Sequence, residues 1–492
     1  MASTFETVGV VGLGTMGAGI AESFARAGLG VIGVEADPEA LARGRGHLEG
    51  SVGRAVAKGK LTEAESAAIL GRVTLTTSLE DLAQVDLVIE AIPEVMEFKQ
   101  ALFTDLDRVC KPSAVLATNT SSLSVTAIAA GTTRPGRVIG MHFFNPAPVM
   151  RLVEVIHTLV TEEGLAAEVA DLARRLGKTP VTVGDRAGFV VNRLLLPYLN
   201  HAALLLEGGM ATRDGIDTAM RLGARLPMGP FALLDLIGLD TSYEVLSVLF
   251  QESRDRRHAP APILRELVSA GLLGRKARGG FYPTADGGPE AAKPPAGKSS
   301  AHTVAFLGEG GDAFGTRLAE AGFKIVPAED AEAVIALSST PVIELAAGLP
   351  HPERLVGLHL VGERVAEVAS TVLTAPEVAQ AVEGLVRIAG RVPVACKDRA
   401  EFVVDALLYP YLNDAVRMYE SGYASADDID TAMRLGCGYP AGPFETLDEL
   451  GLPAVRDGLR ALYAEYREPY LAPAPLLERL VVAGVRSFRD LP

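Results

Sequence analysis

The sequence predicts an α/β fold joined to an all-helical part, with a shrunken copy of both behind them. Three observations carry that expectation. Up to about residue 186, short Val/Ile-rich strands alternate with helices, the order of a doubly wound parallel sheet. From about Gly188 the apolar spacing is helical only. After residue 302 the chain repeats itself: GFVVNRLLLPYLNHAALLLEGG returns as EFVVDALLYPYLNDAVRMYESG, and RDGIDTAMRLGARLPMGPFALLDLIGL as ADDIDTAMRLGCGYPAGPFETLDELGL.

Taken in order, strand TVGVVG passes through the glycine turn LGTMG into helix AGIAESFARAG and strand LGVIGVE. A charged helical segment covers about 38–71 and carries Arg43, Arg45, Arg54, Lys58 and Lys60. Strand DLVIEAI, helix EVMEFKQALFTDLDRV and strand AVLATN follow. RVIGMHF and RLVEVI then read as two strands joined by NPAPV, whose prolines are turn chemistry. The helical part takes its ends from Gly and Pro, and PTADGGPEAAKPPAGKSS reads as a linker. Upstream echoes complete the repeat: TVGVVGLG returns as TVAFLGEG and RVIGMHFF as RLVGLHLV. The expected divisions are 1–186 (sheet), 187–284 (helices), 285–302 (linker), 303–397 (remnant sheet) and 398–492 (second helical domain), in line with the three or four domains that this length suggests.

Composition bounds the function. A net charge of −15 argues against a broad nucleic-acid surface, which needs a basic excess. Cys110, Cys396 and Cys437 are odd in number and have no metal-ligand spacing, so no metal site and no disulfide framework are expected, as in a reducing compartment. MASTFETVGVVG runs straight into a strand, leaving no room for a signal peptide. The most apolar helix, RLLLPYLNHAALLLEGG, is interrupted by Pro197, Asn200 and His201, so no membrane span is expected. The reading is a cytoplasmic protein.

Gly12-x-Gly14-x-x-Gly17 follows a strand, opens a helix, and has Glu35 at the end of the next strand. That context makes it a Rossmann-like dinucleotide turn: the glycines admit a pyrophosphate onto the helix N-terminus, and Thr15 and Met16 lie within the turn. Glu35 would accept bonds from the adenosine ribose hydroxyls and repel a 2′-phosphate, which favours NAD over NADP. In the predicted hairpin His142 comes opposite Glu154 or its neighbour, about 5 Å away at the β-carbon. A carboxylate on one ring nitrogen raises the basicity of the other, as a general base needs. On the hairpin alone, a core histidine satisfied by a nearby acid is the favoured reading.

With GLGTMGAGIA, EAIPE, ATNTSSLSVT, MHFFNPAPVMRLVEVI, GFVVNRLL and GRKARGGFY in this order, the chain resembles the 3-hydroxyacyl-CoA dehydrogenase family over residues 7–284, and within it the bacterial 3-hydroxybutyryl-CoA type with a duplicated C-terminal part. The resemblance implies NAD-dependent oxidation of an (S)-3-hydroxyacyl-CoA to the 3-oxoacyl-CoA, a reaction of fatty acid metabolism. It places the catalytic histidine on His142, its glutamate on Glu154, the serine on Ser121 and the asparagine on Asn192. It places further cofactor contacts on Glu94, Lys99, Asn119 and Lys276, and acyl-CoA contacts on Ser51 and Lys58 as well as Ser121 and Asn192. Read alone, Glu94 and Lys99 are also a solvated helix pair, and Ser51 and Lys58 a basic helix face that differs from the family in length. A sugar-acid dehydrogenase of the gulonate type and a non-catalytic nucleotide-binding structural protein stand as alternatives.

In the second copy Ser121 falls on Ser338, His142 on His359, Glu154 on Glu367 and Asn192 on Asp405, while FFNP is deleted. Gly308 and Gly310 match the first two turn glycines and the third is missing. Most of the span between Glu35 and Val115 has no counterpart, which removes the charged helix and one strand. One NAD per chain and no catalysis by 303–492 are therefore expected. The second helical domain is expected to pack on the first within the chain, which leaves room for a further homodimer.

Overall fold

The computed structural model describes residues 5–283, 297–308, 312–339 and 341–490. Most of the expected linker, up to residue 296, and Gly310 lie outside them. The first sheet is built from β1 (Thr7–Val11), α1 (Thr15–Arg26), β2 (Gly30–Val34), α2 (Pro38–Ala57), α3 (Glu63–Leu70), β3 (Val73–Thr76), β4 (Leu87–Glu90), α4 (Met96–Val109), β5 (Val115–Thr118), α5 (Val125–Ala129), β6 (Val138–Phe143), β7 (Leu152–His157), α6 (Leu165–Arg175) and β8 (Thr179–Gly184). Strand order is β3-β2-β1-β4-β5-β6-β7-β8, parallel except that β7 runs against β6. The expected hairpin is therefore present, in the register His142↔Glu154.

The charged segment is two helices, and local chemistry explains the division. The Asp37 side chain caps α2 by accepting from Ala40 N (2.8 Å), with Pro38 at the first position. Thr62 and Glu65 form a capping box that starts α3 afresh. Val8, Ile20, Phe24, Leu87, Ile89 and Phe143 are part of the core against the sheet. Strands β3 and β8 and helices α5 and α6 are additions to the sequence reading.

The helices of the first copy are α7 (Val191–Glu207), α8 (Arg213–Thr218), α9 (Pro230–Ile237), α10 (Leu239–Ser253) and α11 (Pro262–Ser269), with a π-helical turn at Ala219–Gly223. The expected interruption at Pro197, Asn200 and His201 does not occur, because α7 runs through all three. Pro197 forfeits one backbone bond, and tertiary packing offsets it. Asn200 is buried there, its amide donating to the carbonyls of Arg257 (3.1 Å) and Ala259 (2.8 Å) and its oxygen accepting from Ala261 N (2.8 Å). Among the described residues no helix is long and apolar enough to cross a membrane.

The second copy comprises β9 (Thr303–Leu307), α12 (Asp312–Glu320), β10 (Lys324–Ile325), β11 (Ala333–Leu337), α13 (Ile343–Ala346), β12 (Leu355–Val361), β13 (Val365–Ser370), α14 (Pro376–Ile388), β14 (Val392–Lys397), α15 (Val404–Glu420), α16 (Ala426–Cys437), α17 (Pro443–Leu450), α18 (Leu452–Tyr466) and α19 (Pro475–Val482). Its sheet is β10-β9-β11-β12-β13-β14. Among the described residues the second sheet has two strands fewer than the first, where the loss of one was expected. The short stretch 326–332 between β10 and β11 leaves no length for a helix and a further strand.

By contact the chain forms two compact units that do not follow the repeat: residues 1–193 with 421–442, and 194–420 with 443–492. In the first, α16 packs on β7 and β8 of the first copy. Tyr423 donates its hydroxyl to Gly184 O (2.8 Å), under the guanidinium of Arg186 (4.6 Å to the ring centre). In the second, α8 and the turn after it pack on β14 and β13, and Tyr198 of α7 meets Tyr411 of α15 edge-on (6.0 Å between ring centres). A chain ending at Pro283 lacks α15 and α16 and exposes the apolar surfaces they cover. We expect it to dimerise or aggregate in light scattering, and a stable, active monomer would show that those surfaces need no cover.

Candidate active site

The glycine turn lies where the strand order reverses between β1 and β4, the switch point at which open α/β sheets bind ligands. Gly12 has φ +85°, and a β-carbon there would meet Ala91 O at 2.8 Å. At Gly17 it would lie 1.7 Å from Gly12 O, so only glycine lets α1 begin this close to the turn. A β-carbon on Gly14 meets nothing within 4 Å, and no side chain caps α1 there. The first N–H groups of α1 are thus left to an anion. Glu35 directly follows β2 and accepts from Leu13 N (2.5 Å) and Ala36 N (3.3 Å). A cleft of about 850 Å3 is lined by Gly12, Gly14, Thr15, Met16 and Glu35, and also by Arg43 and His47 of α2, which sequence reading did not assign to it. A dinucleotide fits this turn and cleft. Ser51, half-buried on α2, and Lys58, exposed at its C-cap, do not line the cleft.

Glu94 and Lys99 are not a solvated pair. Lys99 is 1% exposed, its Nζ 2.8 and 3.0 Å from the Glu90 carboxylate and 3.3 Å from Glu94. Thr118 also donates to Glu90, while Thr120 Oγ1 (2.5 Å) and Ser121 N (2.8 Å) donate to Glu94. Burial works to raise the Glu94 carboxyl, but Lys99 and these donors outweigh it and hold it below the usual carboxylate range. The cluster fixes the loop that carries Ser121. Asn119 fastens the next strand, its oxygen accepting from Phe143 N (2.8 Å). Glu90 escaped the sequence reading; the signal was an acid at the end of an otherwise apolar strand beside the switch point. Lys276 lies in the other unit, its Nζ 2.6 Å from Asp240.

The strand pair brings His142 Nδ1 to 2.7 Å from Glu154 Oε2, and His142 Nε2 lies 3.2 Å from Ser121 Oγ. Glu154 is fully buried and His142 keeps 6% exposure, its ring set between Phe144 and Phe189. The other Glu154 oxygen accepts from Val190 N and Val191 N, each 3.0 Å away, where α7 begins. These donors and the helix dipole compensate a buried carboxylate. A carboxylate can only accept, so in the neutral imidazole Nδ1 carries the proton and Nε2 turns its lone pair toward Ser121. Asn192, half-buried, is the next residue of the same helix turn. No local signal reveals the Val190 and Val191 donors, which come from far along the chain.

The second copy keeps the pair but changes its chemistry. His359 Nδ1 lies 2.8 Å from Glu367, and Nε2, the nitrogen that faces Ser121 in the first copy, lies 3.6 Å from Asp405. Burial alone would lower His359, yet the bond to Glu367 and the charges of Glu367, Asp405 and Glu401 carry it up to about 9. An imidazolium held between two acids has no lone pair to act as a base at neutral pH.

Lys99→Met would leave the buried Glu90 carboxylate without its cation and facing the partly exposed Glu94, and removing one partner of a buried ion pair costs on the order of 3–5 kcal/mol. We expect a large fall in the unfolding midpoint by calorimetry; an unchanged midpoint would show that the cluster is not load-carrying for the loop.

The comparisons with known proteins agree with this geometry. Residues 7–186 match the family described as "3-hydroxyacyl-CoA dehydrogenase, NAD binding domain", and residues 188–284 and 402–487 match "3-hydroxyacyl-CoA dehydrogenase, C-terminal domain". The chain is 35% identical over 485 residues to a 3-hydroxyadipyl-CoA dehydrogenase of Escherichia coli, covering 98% of this chain and 99% of the relative. It is 47% identical over 284 residues to a 3-hydroxybutyryl-CoA dehydrogenase of Mycobacterium tuberculosis, covering 57% of this chain and 99% of that one. A crystal structure of 3-hydroxybutyryl-CoA dehydrogenase from Escherichia coli superposes with a TM-score of 0.85 at 33% identity, over 98% of this chain and 99% of the other. With both family models matched and a relative covered end to end, the chain belongs to the 3-hydroxyacyl-CoA dehydrogenase family, an NAD-binding oxidoreductase.

Proposed function

We propose that the chain oxidises (S)-3-hydroxyacyl-CoA thioesters to 3-oxoacyl-CoA, with His142 as the general base. The observation that carries this reading is the relay Ser121 Oγ–His142 Nε2–Nδ1–Glu154. NAD bound in the cleft supplies the hydride acceptor. His142 Nε2 takes the hydroxyl proton, and Glu154 stabilises the imidazolium, a charge pair made only as the reaction proceeds. Ser121 and Asn192 hold the substrate oxygen by hydrogen bonds. The glycine turn with Thr15 and Met16 receives the pyrophosphate and Glu35 the adenosine ribose; Glu94, Lys99, Asn119 and Lys276 complete the cofactor contacts, and Ser51 and Lys58 serve the acyl-CoA. The residues 303–492 bind no second dinucleotide and perform no catalysis.

For the acyl group, a four-carbon chain is the first reading. A six-carbon chain ending in a carboxylate is the second, favoured by the relative of matching length, which is named for 3-hydroxyadipyl-CoA. The test is oxidation of NADH or NADPH with acetoacetyl-CoA, 3-oxoadipyl-CoA and a keto sugar acid. We expect turnover with the thioesters and NADH, a narrower cofactor preference in Glu35→Ala, and one NADH bound per chain by fluorescence titration. His142→Gln should lower kcat by about a hundredfold or more while NADH binding survives. Turnover of the sugar acid alone, or a near-normal His142→Gln, would overturn the proposal.

A further inference from the structure

The second copy does not need to be a catalyst to take part in catalysis. Gly436 of α16 faces the two elements that hold Glu154. A β-carbon there would lie 2.9 Å from Val191 Cγ2 and 3.0 Å from Leu152 Cδ2. Val191 is one of the two backbone donors to Glu154, and Leu152 begins the strand that carries it. Both are buried, and a valine methyl has no free rotation with which to retreat. The segment is fastened ahead of the contact, by Tyr423 Oη on Gly184 O and by Arg186 over the Tyr423 ring. The Glu154 charge is felt across this seam: burial first, and Glu154 second, push the Cys437 thiol up to about 12.

We infer that α16 of the second copy is a positioning element for the first active site, with Gly436 the contact through which it sets Val191 and so the orientation of Glu154 toward His142. The repeat supplies an internal parallel. Gly223 is the counterpart of Gly436 in DTAMRLG, and a β-carbon on it would lie 3.0 Å from Val361 and 3.2 Å from Val404. Val404 N and Val403 N hold Glu367 as Val191 N and Val190 N hold Glu154. Each copy thus braces the carboxylate of the other, although only one of the two has a histidine free to act.

The inference rests on His142–Glu154 as the catalytic pair, and the experiment separates the two. In the full chain, Gly436→Val should lower kcat about tenfold, as a small misplacement of a catalytic group does, with KM and NADH affinity within about twofold. The solvent isotope effect on kcat should rise, because proton transfer is the step disturbed. Gly223→Val places the same bulk against the second copy and should leave kcat and the isotope effect unchanged. Val191→Ala should restore most of the kcat lost in Gly436→Val by making room. If Gly436→Val does not fold by circular dichroism, Gly436→Ala takes its place, with an expected loss of about threefold on the same scale. Full kcat in a folded Gly436 variant, or an equal loss in Gly223→Val, would overturn the inference. If His142→Gln kept its turnover, the catalytic pair itself would be wrong.

Discussion

A fully buried carboxylate is tolerable only if its lone pairs are met, and Glu154 sets that condition for the first unit. Its three partners come from two separate places: the imidazole on β6, and two adjacent backbone N–H groups where α7 leaves the sheet. The β6–β7 register, the exit angle of α7 and the tautomer of His142 are all consequences of meeting it. A register slip of one residue would turn His142 to the opposite face and leave the acid unpaired. An unpaired buried carboxylate is costly enough that such alternatives are not populated. The same interaction thus selects the fold locally and readies a base.

The second charged cluster obeys the same rule with a different result. Lys99 sits between Glu90 and Glu94, and the hydroxyls and N–H groups of 118–121 take up the remaining lone pairs. Here nothing is left over to react; the outcome is a rigid loop that presents Ser121 to His142. The second copy shows how small a change separates the two outcomes. Asp405 in place of an amide faces the outer nitrogen of His359 and closes it with a charge.

What was legible in the sequence was what depends on near neighbours. The glycine turn, Glu35, the hairpin and its His142–Glu154 pairing follow from strand alternation and turn residues within a few positions. The edge strand β3, VTLT, is half polar, and β8, TPVTVG, carries a proline and two threonines, so neither stood out. Glu90 was hidden because burial, not residue type, makes it a hub. Arg43 and His47 were read as parts of a charged helix, since a sequence does not say which face of α2 looks into the cleft. The loss of two strands in the second sheet depends on how few residues separate β10 and β11. The grouping of residues 421–442 with the first copy depends on contacts across hundreds of positions, which no local pattern encodes.

That grouping bears on how the chain is made. The first 193 residues contain a complete eight-stranded sheet, yet α16, which covers β7 and β8, is synthesised only after more than two hundred further residues. At ordinary rates of translation the sheet waits on the order of ten seconds or longer for it. Through that interval an apolar face of a nascent domain stands open to other chains on the same message. Duplication within one polypeptide answers this hazard with sequence order: the cover arrives in cis and at fixed stoichiometry, without a search for a second molecule.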